Sequence, residues 1–451
     1  MKSVHITNYY HKTSGGISTA YNHLLEAAER HRRYVRLIVP GETEDVEEIN
    51  EFAKIYYLRA KHSPVFDKRY RLIMPWEFLP NGTPLRKILI DEKPDMIEVA
   101  DKYTVCMLGA TIRTGFFVEI PRPMLVHLSC ERMDDNVRSF IATGRLVNWF
   151  VKRHVANYVL PSFDFHLANS DYTAQEFCDA VSAEKDPRRS KWLFNFSWRK
   201  LRAPQVPLKD RIYINQCGVD NVTFNAGRRS AELRDQLKAE YGITGDPKLL
   251  LYAGRISPEK NIGLLFETME KLSQQNGGDG YRLLIAGAGP KFDDVVEQAE
   301  KEGNGNVIIV GHITDKEKLA NLFANCDAFI HPNPREPFGI TPLEAMASAL
   351  PVVAPNSGGL LSYANDDNAW LAEPTGEDFA AAVSSVFEDD VRREAKVANA
   401  METASKYTWD SSTDALFAMY DEMYAEFTAN RPMYDYKPAT RENFVGELTE
   451  C

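Results

Sequence analysis

Tyr252-Ala253-Gly254-Arg255-Ile256-Ser257-Pro258-Glu259-Lys260-Asn261 stands where one residue pattern gives way to another. Residues 249–253 form a continuous apolar run. After the quoted stretch, Ile262, Leu265, Phe266, Met269 and Leu272 recur at i, i+3, i+4, i+7 and i+10, one stripe of a helix. A short apolar run closed by glycine and followed by an amphipathic helix is half of a βαβ unit. The alternation continues through the runs 282–286, 307–310, 328–331 and 352–354, each ending in Gly, Pro or both. Strands apolar on both faces belong to a parallel sheet covered by helices on each side.

The front half repeats the theme. Strands are expected at 4–7, 35–39, 96–99, 124–128 and in a region spanning 157–160 and 167–169, with a Gly15-Gly16 turn opening a helix at 18–29. Both halves open with strand, glycine turn and helix, so the fold class is α/β, two Rossmann-like lobes with parallel sheets. The boundary is placed at 212, after a compositional shift. Between 185 and 211 nine Lys/Arg face two Asp, and Trp192, Phe194, Phe196 and Trp198 alternate. The polar tail after 431 reads as a surface extension.

Composition narrows the function. The 451 residues accommodate two large lobes, and 44% hydrophobic with 26% charged residues excludes a disordered or collagenous chain. No apolar run approaches the ~18 residues of a membrane span, and the N-terminus lacks the apolar core of a signal peptide, so a cytoplasmic protein is expected. Six scattered cysteines without a C-x-x-C pair suggest reduced thiols, with neither zinc site nor disulfide framework. With 53 Lys/Arg against 64 Asp/Glu, the net charge of −11 argues against a nucleic-acid partner.

Open parallel sheets bind ligands at the carboxyl ends of their strands, where helix N-termini also present free N–H groups and partial positive charge. Arg255 and Lys260 add two full charges there, which suits a pyrophosphate. A second stretch, Pro334-Arg335-Glu336-Pro337-Phe338-Gly339-Ile340-Thr341-Pro342-Leu343-Glu344-Ala345-Met346-Ala347, opens another helix. Thr341-x-x-Glu344 with Pro342 reads as a capping box, as does Thr314-x-x-Glu317. Glu336, in a Pro/Gly-rich loop, has no capping role and is a candidate for holding hydroxyls. Gly287-x-Gly289 imitates a dinucleotide fingerprint without its third glycine. No Asp-x-Asp and no ligand-spaced His/Cys/carboxylate cluster occurs, so no metal site is expected.

Taken together, Gly254-Arg255-x-x-x-Glu259-Lys260-Asn261 and Glu336-x-Phe338-Gly339-Ile340-x-x-x-Glu344-Ala345-Met346-Ala347 resemble the signature of family-4 retaining glycosyltransferases of GT-B fold. Ser14-Gly15-Gly16-Ile17, Gly218-Val219-Asp220 with Phe224, and Tyr407-Thr408-Trp409-Asp410 extend the likeness. The resemblance implies that a last helix within 410–451 returns to the first lobe, which is then 1–212 plus 410–451, with 213–409 as the nucleotide-sugar lobe. It implies that Arg255 and Lys260 grip the diphosphate and Glu344 the ribose. Glu336 with the Phe338, Gly339 and Ile340 backbone would hold the sugar, His312 and Ile313 the base, and Gly15 and Gly16 would let backbone approach the diphosphate. Cys217 and Ala349 depart from the family's usual Asn and Gly.

A narrower likeness is to GDP-mannose-dependent α-mannosyltransferases, carried by Ile97-Glu98-Val99-Ala100-Asp101-Lys102 and Ser129-Cys130-Glu131-Arg132-Met133-Asp134. Cys130 stands where that group has histidine; His127, on the same expected strand, takes the place beside the sugar or packs as a bystander. The expected function is metal-independent, retaining transfer of a hexose, mannose favoured, from a nucleotide-diphosphate sugar to a carbohydrate or lipid-linked hydroxyl, with no cofactor. UDP-glucose or UDP-N-acetylglucosamine as donor, a sugar-nucleotide epimerase, and a non-catalytic nucleotide-sugar-binding protein are the alternatives. The aromatic, basic segment 185–211, if extended, puts four rings on one face and suits a peripheral contact with an anionic membrane, or else packing into the first lobe.

Overall fold

In the computed structural model the described residues are 1–11, 15–63, 70–182, 188–276, 280–435 and 447–451. They gather into two compact units, one of Met1–Gln216 with Ser412–Cys451 and one of Cys217–Ser411.

The first unit runs β1 (Lys2–Thr7), α1 (Gly16–His31), β2 (Tyr34–Gly41), β3 (Asp45–Glu48), β4 (Ala53–Arg59), β5 (Lys61–His62), β6 (Arg71–Leu72), α2 (Pro84–Glu92), β7 (Met96–Ala100), α3 (Cys106–Thr114), β8 (Met124–Ser129), α4 (Met133–Phe140), α5 (Arg145–His154), α6 (Leu160–Ser162), β9 (Phe165–Ala168), α7 (Asp171–Val181), α8 (Arg188–Lys200) and β10 (Ile212–Ile214). Its main sheet has the order β10-β9-β8-β7-β1-β2-β4-β3, parallel except for the β3–β4 pair. β10 pairs with β9, so the expected boundary at 212 would sever an edge strand, and the division falls after it. Residues 157–160 are not strand: a π-helical turn, Val155–Val159, leads into α6, burying Val155, Ala156, Val159 and Leu160 at helical rather than alternating spacing. β3, exposed and charged, carries no apolar signal to read.

Within 185–211 the expected extended strip is instead α8. Helical geometry brings residues four apart together, so Phe194 stacks on Trp198 and Trp192 on Phe196, at 4.7 and 5.5 Å between centroids. The first pair is buried and the second exposed, so the four rings do not share one face. Residues 185–187 of the segment lie outside those described.

The second unit runs α9 (Ala231–Glu240), β11 (Lys248–Ala253), α10 (Gly263–Asn276), β12 (Tyr281–Ala286), α11 (Phe292–Glu302), β13 (Val307–Gly311), α12 (Lys316–Asn325), β14 (Ala328–Ile330), α13 (Ile340–Ala347), β15 (Val352–Pro355), β16 (Trp370–Ala372), α14 (Gly376–Val386) and α15 (Asp390–Lys406). The sheet is parallel throughout in the order β13-β12-β11-β14-β15-β16, reversing direction of growth between β11 and β14. Leu249, Leu251 and Ala253 face one core and Leu250 and Tyr252 the other, which is why β11 reads as an uninterrupted apolar run. Gly218 lies so close to the chain at Trp409 that a Cβ would stand 2.4 Å from the Trp409 backbone nitrogen. The next residue donates its N–H to Tyr407 O at 2.8 Å.

The long helix α16 (Trp409–Ala429) and the short α17 (Arg431–Tyr434) follow. From Ser412 onward this segment belongs to the first unit, where Phe417, Tyr420, Met423 and Phe427 are buried in one core with Tyr21 and Leu24. The Tyr420 hydroxyl donates to buried Glu98, which also meets Tyr21 Oη and His5 Nδ1, each at 2.9 Å. The tail is not wholly a surface extension. Tyr434 is fully buried and its carbonyl accepts from Arg113 Nη1 at 2.7 Å, while 436–446 lie outside the described residues. Nor are all thiols reduced: Cys178 and Cys451 form a disulfide with Cα atoms 5.4 Å apart, a pairing across 273 positions that spacing could not disclose. Among the described residues no helix is long and apolar enough to cross a membrane.

Candidate active site

The strand order reverses between β11 and β14, and the carboxyl ends of strands at such a switch point are where open α/β sheets take their ligands. The loop after β11 carries Arg255 and Lys260; the loop after β14 carries Glu336. Asn261 Nδ2 donates to Pro332 O at 3.0 Å and ties the two loops together. Asn261 has φ 53°, a left-handed conformation that asparagine tolerates better than most residues.

Arg255 is half-buried and its carbonyl accepts from the buried Tyr252 hydroxyl at 2.8 Å. The loop after β12 lies directly on this stretch. A Cβ on Gly287 would stand 1.9 Å from Gly254 O, and one on Gly289 2.1 Å from Ile256 O. Ile256 N–H in turn donates to Ala288 O at 2.9 Å. Gly287-x-Gly289 is therefore a packing surface for the Arg255 loop, which accounts for its partial likeness to a dinucleotide fingerprint.

Lys260 Nζ lies 2.9 and 2.7 Å from the two oxygens of Glu336. Glu336 is buried, accepts from Asn333 Nδ2 at 2.9 Å, and has His331 Nε2 3.3 Å away. Burial alone would raise its pKa, but the Lys260 charge together with His331 outweighs this and holds the carboxyl far below the usual range. The loop after β15 closes over this carboxylate's backbone: Gly359 N–H donates to Glu336 O at 2.6 Å.

α13 opens at Gly339, whose φ of 88° no β-carbon residue adopts readily, and Tyr363 hydrogen-bonds its carbonyl. The N-cap is thus Gly339, and the capping box expected from Thr341 does not form because Thr341 is already inside the helix. The other expected box fails for a similar reason. Asp315, not Thr314, is the N-cap of α12 and accepts from Glu317 N at 2.9 Å. Freed from capping, Glu344 is a half-buried carboxyl, raised to about 7 by burial, with Lys316 lowering it and Asp220 raising it. Phe338 is buried against Tyr363, and Ile340 supplies one of the helix's free N–H groups.

Of the remaining expected residues, His312 is exposed and Ile313 half-buried, just past β13. Gly15 and Gly16 belong to the first unit, where Gly15, at φ 107°, precedes the first turn of α1. Ser14 lies outside the described residues. His127, also in the first unit, is fully buried among Phe163, Phe177 and His166, and burial drives its pKa well down. Of the two roles expected for it, this burial favours the packed one. Cys217 is half-buried, and burial lifts its thiol to about 12. Sequence reasoning missed His331, Asn333 and Tyr363. The first two sit in a His-Pro-Asn-Pro stretch at the end of an apolar run, which is the one signal that marked them.

Two lobes, each built on a largely parallel sheet covered by helices, have the GT-B architecture. A solved sucrose-phosphate synthase from Thermosynechococcus elongatus superposes with a TM-score of 0.69 at 18% identity, covering 94% of this chain and all of that one. Residues 234–404 match the family described as Glycosyl transferases group 1. The GDP-mannose-dependent α-(1-6)-phosphatidylinositol dimannoside mannosyltransferase of Mycobacterium tuberculosis is 27% identical over 424 residues, 94% of this chain and 97% of that protein. The D-inositol 3-phosphate glycosyltransferase of Mycolicibacterium smegmatis is 30% identical over 242 residues, 52% of each chain.

Proposed function

We propose that this glycosyltransferase moves a hexose, mannose from GDP-mannose foremost, onto an acceptor hydroxyl with retention of the α configuration and without a divalent metal. The observation that carries this reading is the Lys260–Glu336 pair at the switch point, between Arg255 and the N-terminus of α13. The mannose donor is supported by the near full-length likeness to the M. tuberculosis mannosyltransferase.

Cleaving the anomeric bond leaves negative charge on the departing diphosphate. Arg255, Lys260 and the first N–H groups of α13 are the positive groups able to meet it, and one preorganised donor of this kind is worth about 3–4 kcal/mol. An ammonium has three donors, so pairing with Glu336 leaves Lys260 capacity for a phosphate oxygen. Glu336, fixed as the anion, accepts sugar hydroxyls, and Glu344 accepts the ribose hydroxyls. The strand-end backbone at His312 and Ile313 contacts the base.

A nucleotide-release assay over a panel of GDP- and UDP-sugars, with and without EDTA, tests the proposal. GDP-mannose should turn over fastest and survive EDTA. A faster UDP-sugar overturns the donor, loss of rate restored by magnesium overturns metal independence, and conversion of the sugar without an acceptor product indicates an epimerase.

A further inference from the structure

α5 is an amphipathic helix with its bulkiest apolar side chains facing outward. Val147 and Val151 point into the first unit's core, while Leu146, Trp149, Phe150 and Arg153, at i, i+3, i+4 and i+7, form the opposite stripe. Leu146 is 75% exposed and Phe150 65%. Ile141, just before the helix, is exposed as well.

α8 repeats the arrangement. Phe194 and Trp198 are buried, whereas Trp192, 67% exposed, Leu193 and Phe196 face outward. The two helices share a support, because α5 runs into the π-helical turn Val155–Val159 and α8 rests on that turn. There Trp198 Nε1 donates to Ala156 O at 2.8 Å and Ser197 Oγ to Asn157 Oδ1 at 3.4 Å.

Charge accompanies the apolar stripes in the same way on both helices. Arg153 lies over the Trp149 ring and Lys200 over the Phe196 ring, each at 5.8 Å to the centroid. Neither 145–154 nor 188–200 contains an Asp or Glu, although the whole chain carries a net charge of −11. Two acid-free helices in an acidic protein, each showing aromatic rings flanked by cations, match the interfacial helices that lie in the headgroup region of a bilayer. There, aromatic rings sit at the polar–apolar boundary and Lys/Arg meet anionic lipids.

We infer that the outward faces of α5 and α8 dock the protein on an anionic lipid surface. The surface is distinct from the switch point of the second unit, so the inference goes beyond the transferase reading and does not depend on the donor. Sites of this kind bring an enzyme to an acceptor anchored in the bilayer, and the charge pattern selects acidic headgroups over zwitterionic ones.

The test uses the full chain, sedimented with vesicles of phosphatidylcholine alone or mixed with phosphatidylglycerol, at low and high salt. Binding should be at least about tenfold tighter to the mixed vesicles and weaken with salt. Trp149→Ser with Phe150→Ser should reduce that binding about tenfold or more, and adding Trp192→Ser should reduce it further. Lys152→Gln with Arg153→Gln should flatten the salt dependence. Unchanged circular dichroism in each variant keeps the comparison valid. Equal binding to neutral vesicles, full binding by the aromatic variants, or light scattering showing a dimer that these substitutions dissolve would each overturn the inference. Nucleotide release to a water-soluble acceptor should be the same in all variants, so failure of the donor assay and failure of the lipid assay are read separately.

Discussion

Lys260 and Glu336 are 76 positions apart in sequence and in direct contact, so each determines what the other's loss costs. Lys260→Ala leaves a buried carboxylate without its main countercharge and should cost about 3 kcal/mol of stability. Adding Glu336→Gln should recover most of that loss in a melting experiment. Turnover should stay down by about 100-fold or more in the single and the double variant, because the missing charge acts on the departing phosphate. If activity returns with stability, Lys260 is a structural cation only.

Glu344 makes a prediction of opposite sign. An unfolded glutamate titrates near ~4.3, whereas burial lifts this one to about 7. The native state therefore binds more protons than the unfolded state between these values, and stability is lost as pH rises through that window. Glu344→Gln removes the loss. It should match the parent's stability at pH 5 and exceed it at pH 8 by on the order of 1–2 kcal/mol, while donor KM rises because a carboxylate has become an amide. A stability difference independent of pH would mean that Glu344 titrates normally. Its raised pKa was not legible in the sequence, where Thr341-x-x-Glu344 read as a cap. Glu336 drew notice because a carboxylate in a Pro/Gly loop has no capping role, whereas its local partners Asn333 and His331 did not. His127 was left with two roles because a histidine on a strand looks the same in sequence whether it faces a ligand or three aromatic neighbours.

At the level of elements, what could be read was whatever repeats at one period. All five apolar runs assigned to the second unit are strands, because both faces of each are covered. α8 shows the converse. Its aromatic residues at every second position suggested an extended strand, yet i to i+4 stacking makes a helix of the same residues. The Gly287-x-Gly289 loop holds the Arg255 loop at closer range than any side chain permits. Gly289→Ala must displace Ile256, since its Cβ would sit 2.1 Å from a carbonyl oxygen. The expected outcome is a melting temperature several degrees lower and turnover reduced tenfold or more, on the order of 1–3 kcal/mol in each. Gly263→Ala, where a Cβ meets nothing within 4 Å, is the control and should be neutral or slightly stabilising. Equal behaviour of the two variants would dismiss the close approach.

For the molecule as a whole, the second unit was read almost strand for strand. The first was read in outline, since its edge strands β3 and β10 and its π-helical turn lack a clean period. The first unit also contains Ser412–Cys451, whose helix buries Tyr420 and Met423 in the same core as α1. Chains are made from one end. As residues 1–216 leave the ribosome they lack one wall of their core, and at about 5–20 residues per second roughly 10–40 s pass before α16 is synthesised. The second unit can finish folding within that interval. The first, begun earliest, is completed last, with Glu98 and its apolar neighbours awaiting Tyr420. A fragment of 1–216 alone should therefore be insoluble and become soluble when 409–451 is co-expressed as a separate peptide, whereas 217–411 should fold unaided. Soluble, cooperatively melting 1–216 without that peptide would show that the birth order of the chain imposes no such wait.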